Sequence, residues 1–348
     1  MDGHEARVGR NGGDSPVKQI RVAFVASGDS TFVQRDRSML QEAFRVRNVE
    51  WSGKRSIPSL AWAVLHSDVT FAWFALDHAY GACRLARLFG RKSIVVVGGV
   101  DVARVPELGY GAHLDPRMGH RSRYALAHSD RVLVVHDSLR EEIAQNTGIR
   151  RNEIVTVPLG FDTEFFAGDG RPRDTVLTVG FVTEVNIRRK GLDTFVEAAR
   201  RLPDLPFVLV GAKPSAATDR LKAAAPPNVE FLPPLEPKAL RDQYRRARVY
   251  VQASLYEGLP SALGEAMACG CVPVGTRVAG IPDLVGDTGF YVPPSDPEAT
   301  ATGIREAYES GLGSNARRRI EERFSRTRRE QALADIVQTL VNQGAGKD

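Results

Sequence analysis

Ser254-Leu-Tyr-Glu257-Gly258-Leu259-Pro260-Ser261-Ala-Leu-Gly-Glu265-Ala-Met-Ala-Cys269-Gly270-Cys271-Val-Pro-Val-Gly-Thr276 decides how the rest of this chain is read. The β-branched run Val249-Tyr250-Val251 enters it as a strand, and Glu257-Gly258-Leu259-Pro260 forms a polar loop. Ser261 to Cys269 is helix-like and stops at Gly270, before another apolar run. In an open parallel sheet the loop leaving a strand's carboxyl end opens into the ligand crevice, and the next helix aims its N-terminus there. Amide N–H groups and the positive end of the helix dipole favour phosphate at such a turn. Glu257 and Glu265 bracket the turn with acceptors suited to sugar hydroxyls. Donors for a diphosphate flanked by acceptors for hydroxyls suit a nucleotide-sugar.

The 348 residues are enough for two domains of ordinary size. With 43% hydrophobic and 26% charged residues the composition is that of a soluble globular chain. No uninterrupted apolar run is long enough for a membrane span. Residues 1–19 mix Gly, Asp, His, Arg and Lys without an apolar core, which reads as a disordered leader rather than a secretory signal. Cys83, Cys269 and Cys271 show no metal-ligand spacing and are expected as small core residues in a reducing cytosol. The net charge of +5 permits attraction to anionic substrates or membrane surfaces and does not argue for nucleic acid.

In the first half, Gln19–Ala26 is an apolar strand, followed by the loop Ser27-Gly28-Asp29-Ser30 and a helix over Phe32–Phe44. Only Gly28 of a Gly-x-Gly-x-x-Gly fingerprint is present, so dinucleotide binding is not supported. Strands are expected at 69–75, 93–98, 131–136 and 153–158, alternating with helices at 57–66, 78–89, 117–128 and 139–147. That rhythm predicts a parallel sheet covered on both faces. One strand-end loop, Gly98 to Gly111, carries four glycines with Asp101 and Arg104 among them, a pliable polar lip. Asp101 there either contacts a sugar, with Arg104 nearby, or caps the next turn. The histidines lack the spacing of a zinc helix.

In the second half, Thr175–Gly180 is a strand ending in glycine, and the loop Phe181–Lys190 leads to Gly191 and a helix at Leu192–Arg201. Arg188, Arg189 and Lys190 gather just before that helix, fixed cations of the kind a diphosphate requires. Strands at 207–211, 229–231, 249–252, 272–275 and 289–292 complete a second parallel series. Beyond Pro297 the chain is helical, and the arginines and glutamates after Arg317 read as a salt-bridged surface helix.

Glu257 and Glu265 with the phrase between them closely resemble the Glu-x7-Glu signature of retaining GT-B glycosyltransferases of the GT4 type. The resemblance extends to Lys190-Gly-Leu-Asp and to Arg277–Val285, similar to the family's Gly-Gly-x-Pro-Glu segment. It also covers Pro158–Phe166, similar to the phrase that ends the family's first domain. It implies an α/β chain of GT-B fold, two Rossmann-like parallel-sheet domains facing each other across a cleft. The expected division is an acceptor domain at 20–166, a linker at 167–174, a nucleotide-sugar donor domain at 175–310, and C-terminal helices at 311–348. The last helix is expected to cross back onto the first domain.

The activity implied is retaining transfer from a nucleotide-diphosphate sugar to a hydroxyl of a glycan, a lipid carrier or a small molecule. By the same resemblance, Lys190 with either Arg188 or Arg189 neutralises the departing diphosphate, and Glu257 accepts from the donor sugar. Glu265 takes the ribose, while Gly180, Gly258, Leu259, Pro260, Ser261 and Gly280 complete the donor wall. Gly28, Asp101 and Arg104 are expected on the acceptor side, Asp101 standing where relatives keep a histidine. Relatives carry arginine directly after the strand-end glycine, and this chain has Phe181. The absence of an Asp-x-Asp motif in a suitable loop implies metal independence, with no cofactor and no nucleic-acid partner. A cytoplasmic setting is expected, with room for peripheral contact at an inner membrane face. Two other readings stay open: a GT-B sugar-nucleotide epimerase, and a non-catalytic nucleotide-sugar binder with Phe181 as its lesion.

Overall fold

The computed structural model describes residues 19–28 and 30–345, so the expected leader, apart from Gln19, lies outside the described residues. The first half runs β1 (Arg21–Ala26), α1 (Thr31–Ala43), β2 (Arg45–Glu50), α2 (Ile57–Leu65), β3 (Val69–Trp73), α3 (Asp77–Leu88), β4 (Lys92–Val97), α4 (Pro116–His128), β5 (Arg131–Val134), α5 (Ser138–Thr147) and β6 (Ile154–Thr156). The second half begins β7 (Thr175–Val179), α6 (Glu184–Arg189), α7 (Leu192–Arg200), β8 (Phe207–Val210), α8 (Ala216–Ala224), β9 (Val229–Leu232), α9 (Pro237–Arg246) and β10 (Ala247–Gln252). It continues α10 (Ser261–Ala268), β11 (Val272–Thr276), α11 (Ile281–Val285), β12 (Phe290–Val292), α12 (Pro297–Glu309), α13 (Gly313–Arg323) and α14 (Arg326–Ala345).

Two six-stranded sheets result, ordered β2-β1-β3-β4-β5-β6 and β12-β11-β10-β7-β8-β9. Every ladder is parallel, for instance Val22 to Val69 and Val249 to Val272. Strands such as β3 and β11 are buried along their whole length, as β-branched and aromatic runs covered on both faces must be.

Three local features differ from expectation. β2 is absent from the expected strands, because it lies at the sheet edge and its arginines and asparagine face solvent, leaving no apolar run. Part of the expected loop Phe181–Lys190 is the short helix α6, started by Thr183, whose hydroxyl accepts from the Asn186 N–H at 3.1 Å. The C-terminal helix crosses back onto the first domain, packing against α1 and β4, and so is more than a salt-bridged surface helix. Arg329 on it is buried, donating to Asp36 at 2.6 and 2.7 Å and to the carbonyls of Val157 and Pro158.

One apolar cluster fills the first sheet and runs on through Phe161, Leu263, Met267, Leu333 and Val337 to one face of the second sheet. A separate cluster, with Phe195, Leu209, Val274 and Ile304 in it, lies beneath α7 and α12. The two sheets are therefore joined by continuous packing as well as by chain. No helix among the described residues is long and apolar enough to cross a membrane.

Candidate active site

Strand order reverses once in each sheet, between β1 and β3 and between β7 and β10. Crevices in open α/β sheets form at such points, because neighbouring loops diverge there. The residues after β1 and β3, Ser30 to Phe32 with Phe74, and those after β7 and β10, Gly180, Phe181 and Glu257 to Ser261, all line one cavity of about 670 Å³ between the halves.

The charged end of this cavity comes from the second half. The loop after β10 is tied to α6 by a hydrogen bond from the Leu255 N–H to the Arg189 carbonyl at 2.8 Å. Gly191 sits at φ +63° with the Ala253 carbonyl so close that a Cβ would lie 2.1 Å from it, so only glycine lets the two loops meet. Their side chains consequently converge. Glu257 accepts from Lys190 Nζ at 2.9 Å, from Arg189 Nη1 at 3.4 Å, and from Ser254 and Gln252 at 3.1 and 3.2 Å. Burial is the strongest single influence on its carboxyl and opposes ionisation, but Lys190 and Arg189 together outweigh it and hold it below the usual value. Arg189 also stacks over the Tyr110 ring, 4.6 Å from its centroid.

Arg188 points elsewhere: it is exposed and, among the described residues, reaches the Glu107 carbonyl at 3.4 Å. Of the two arginines it is Arg189 that joins Lys190 at the cavity. Phe181 stands at the cavity wall, 56% exposed, with Lys213 Nζ 5.2 Å from its ring centroid.

Glu265, one turn into α10, lines the same cavity and is buried. Its oxygens accept from Ser261 at 2.9 Å, from Tyr244 at 3.0 Å, and from Arg35 of α1 at 2.5 Å. The acceptor expected for a ribose is thus already an ion pair between the halves. Gly258 closes a second such contact, since a Cβ there would fall 2.5 Å from the Gly98 carbonyl. Tyr256 donates to Glu142 of α5 at 2.8 Å, and His136 Nε2 lies 2.9 Å from Asp283 Oδ2.

On the first half's side the wall is aromatic and apolar. Phe32, Trp73 and Phe74 cluster with centroid separations of 5.1 to 6.1 Å. Phe74 holds φ +65°, an unfavourable backbone state for a bulky residue and one that recurs at ligand sites.

Three residues expected on the acceptor side do not line the cavity. Asp101 is fully buried, accepting from the N–H groups of Ala75, Gly98 and Gly99 at 2.8, 3.2 and 2.9 Å. Three converging donors draw the carboxylate inward, so it braces the loop from behind, and burial as the main cause raises its pKa to about 6. Arg104 and Gly28 are exposed away from the wall. Gly280 lies behind the loop after β10, its N–H donating to the Gly258 carbonyl at 3.0 Å. The glycine-rich loop is tightly folded instead of pliable, with Gly111 pressed on the Ala103 carbonyl.

Sequence reasoning missed Phe32, Trp73 and Phe74, although the start of the helix after β1 and the end of β3 were usable signals. It also missed Tyr110, Glu142 and Arg35, for which no local pattern exists.

Two parallel-sheet domains with both switch points on a shared cleft define the GT-B architecture, and solved structures agree. Sucrose-phosphate synthase from Thermosynechococcus elongatus superposes with a TM-score of 0.79 at 18% identity, covering 93% of this chain and 100% of that one. HepE of Anabaena, solved in complex with UDP and glucose, gives 0.77 at 15% identity over 92% of this chain and 100% of its own. Residues 173–310 match the family described as Glycosyl transferases group 1. A relative in sequence, alpha-maltose-1-phosphate synthase of Mycolicibacterium smegmatis, is 29% identical over 54% of this chain and 55% of its own length. The chain spans about half the length of the curated relatives it matches.

Proposed function

We propose that this protein is a retaining, metal-independent glycosyltransferase of the GT4 type, moving a sugar from a nucleotide-diphosphate donor to an acceptor hydroxyl. The observation that carries the reading is the convergence of Lys190 and Arg189 on Glu257 beside the N-terminus of α10. Two cations facing one carboxylate leave a net positive site where a diphosphate gains charge as it leaves. In this reading the bond from the anomeric carbon to the phosphate oxygen breaks as the bond to the acceptor oxygen forms. The acceptor's proton passes to the departing phosphate, so no protein base is required. Fixed cations take the place a divalent ion otherwise fills.

Glu257 orients the donor sugar through its hydroxyls, the amides of Gly258 and Leu259 meet the phosphates, and Glu265 addresses the ribose. The acceptor lies against Phe32 and Phe74, whose ring faces suit the C–H face of a sugar or an apolar aglycone. UDP-glucose is the first donor to test, because a structural neighbour was solved with UDP and glucose.

The test is product analysis after incubation with UDP-, GDP- and ADP-sugars, with and without a chelator. Release of nucleotide diphosphate with a new glycoside of unchanged anomeric configuration, insensitive to chelator, is the expected result. An epimerised sugar-nucleotide, or tight binding without turnover, would replace this reading with the epimerase or the binding protein.

A further inference from the structure

The helix α2 departs from what a surface helix normally shows. Its inner residues Leu60, Ala63 and Val64 are buried, but its outer face is also apolar, with Ile57 and Trp62 each 46% exposed and Leu65 42%. A helix apolar on both faces is ordinarily buried on both. Beside it on α3, Leu88 is 74% exposed, and Arg91 Nη2 donates to the Leu65 carbonyl at 3.0 Å, tying the two helix ends together. Four large exposed apolar side chains thus share one face of the first domain.

Charge surrounds the same face. Arg47 on the edge strand β2 lies over the Trp62 ring at 3.5 Å, and Arg84 and Arg87 project from the exposed stripe of α3. Between Arg45 and Lys92 there are eight lysines and arginines against three acids, an excess equal to the +5 of the entire chain. Two of those acids are already paired, Asp68 with Arg21 and Asp77 with Arg121.

From this juxtaposition we propose that the α2–α3 face docks on an anionic phospholipid surface, Trp62, Leu65 and Leu88 entering the headgroup boundary and the surrounding arginines meeting lipid phosphates. An apolar patch rimmed by cations complements such a surface in both respects, whereas a polyanion in solution offers nothing to the apolar centre. The proposal is independent of the transferase reading, since lipid binding needs no donor.

The experiment is co-sedimentation of the full chain with vesicles of phosphatidylcholine alone and of phosphatidylcholine mixed equally with phosphatidylglycerol. Binding is expected only to the mixed vesicles. The double variants Trp62→Glu with Leu65→Glu, and Arg84→Glu with Arg87→Glu, should each lower partition by about tenfold or more. All four side chains are exposed, and an unchanged thermal midpoint confirms that the fold is kept. Trp62→Phe should still bind but lose the blue shift of tryptophan emission that accompanies binding. Equal binding to both vesicle types, no binding to either, or self-association abolished by the Trp62→Glu, Leu65→Glu variant would overturn the proposal, the last by assigning the face to a second copy.

Discussion

Glu257 Oε1 accepts a hydrogen bond from Lys190 Nζ at 2.9 Å, joining the loop after β10 to the end of α6 within a buried ion cluster. If that cluster is the donor site, Lys190→Ala and Glu257→Ala should each lower turnover by about a hundredfold or more, as removal of a group placed at developing charge does. Steady-state kinetics on variants of normal thermal midpoint make the check. Near-parent rates in both would remove the assignment.

Neighbouring arginines should behave unequally. Arg189 shares Glu257 with Lys190 and is buried, so Arg189→Ala is expected to lose about tenfold or more in kcat/KM. Arg188 is exposed, and Arg188→Ala should stay within about twofold. Equal losses in the two would contradict the geometry.

Glu142 makes stability depend on pH. Burial, its largest influence, raises its pKa from 4.5 to about 7 against the opposing hydrogen bond from Tyr256. The folded protein therefore holds a proton that the unfolded chain releases, and stability falls where the native state binds more protons as pH rises. This contribution is complete below 4.5 and is lost as pH climbs through about 7. Glu142→Gln should match the parent at the acid end and exceed it in thermal midpoint on the alkaline side. Asp101, raised to about 6, acts in the same direction in both proteins, and its charge adds to the rise at Glu142. A gap between the two curves that does not change with pH would count against the pair.

Arg329 and Asp36 are both essentially inaccessible, and Asp36 also accepts from Trp73 Nε1 at 2.8 Å. Arg329→Ala leaves that carboxylate and two carbonyls without their main donor, so a loss of about 3–5 kcal/mol is expected in urea unfolding. Replacing both partners with apolar residues should recover part of it. A single-variant loss below about 1 kcal/mol would show that α14 is not anchored there.

At Gly258 any side chain would press on the Gly98 carbonyl, 2.5 Å from an added Cβ. Gly258→Ala should cost about 1–3 kcal/mol by forcing the loop after β10 away from the first domain. A parent-like thermal midpoint would mean that the loop yields freely.

How much could be read beforehand follows from how far apart the cooperating residues stand in the chain. Glu257, Gly258 and Glu265 occupy one strand-loop-helix unit, and their spacing alone placed them at a helix N-terminus. Lys190 was legible for the same reason, ahead of α7. The choice between Arg188 and Arg189 was not, because α6 turns successive side chains about 100° apart, so only one can face Glu257. Asp101 misled because a polar residue in a glycine-rich loop reads as surface until the three N–H groups that draw it inside are located.

The sequence by itself determined the alternation of strands and helices, the all-parallel sheets, and the placement of Lys190, Glu257 and Glu265 around helix N-termini, since each rests on hydrogen bonding and side-chain periodicity between near neighbours. Only the tertiary structure decided that Arg35 meets Glu265, that Tyr256 meets Glu142, and that Phe32 and Phe74 share one cavity with the loop after β10. Those pairings join residues more than a hundred positions apart, and they depend on how two sheets pack against one another, a geometry that no local pattern encodes.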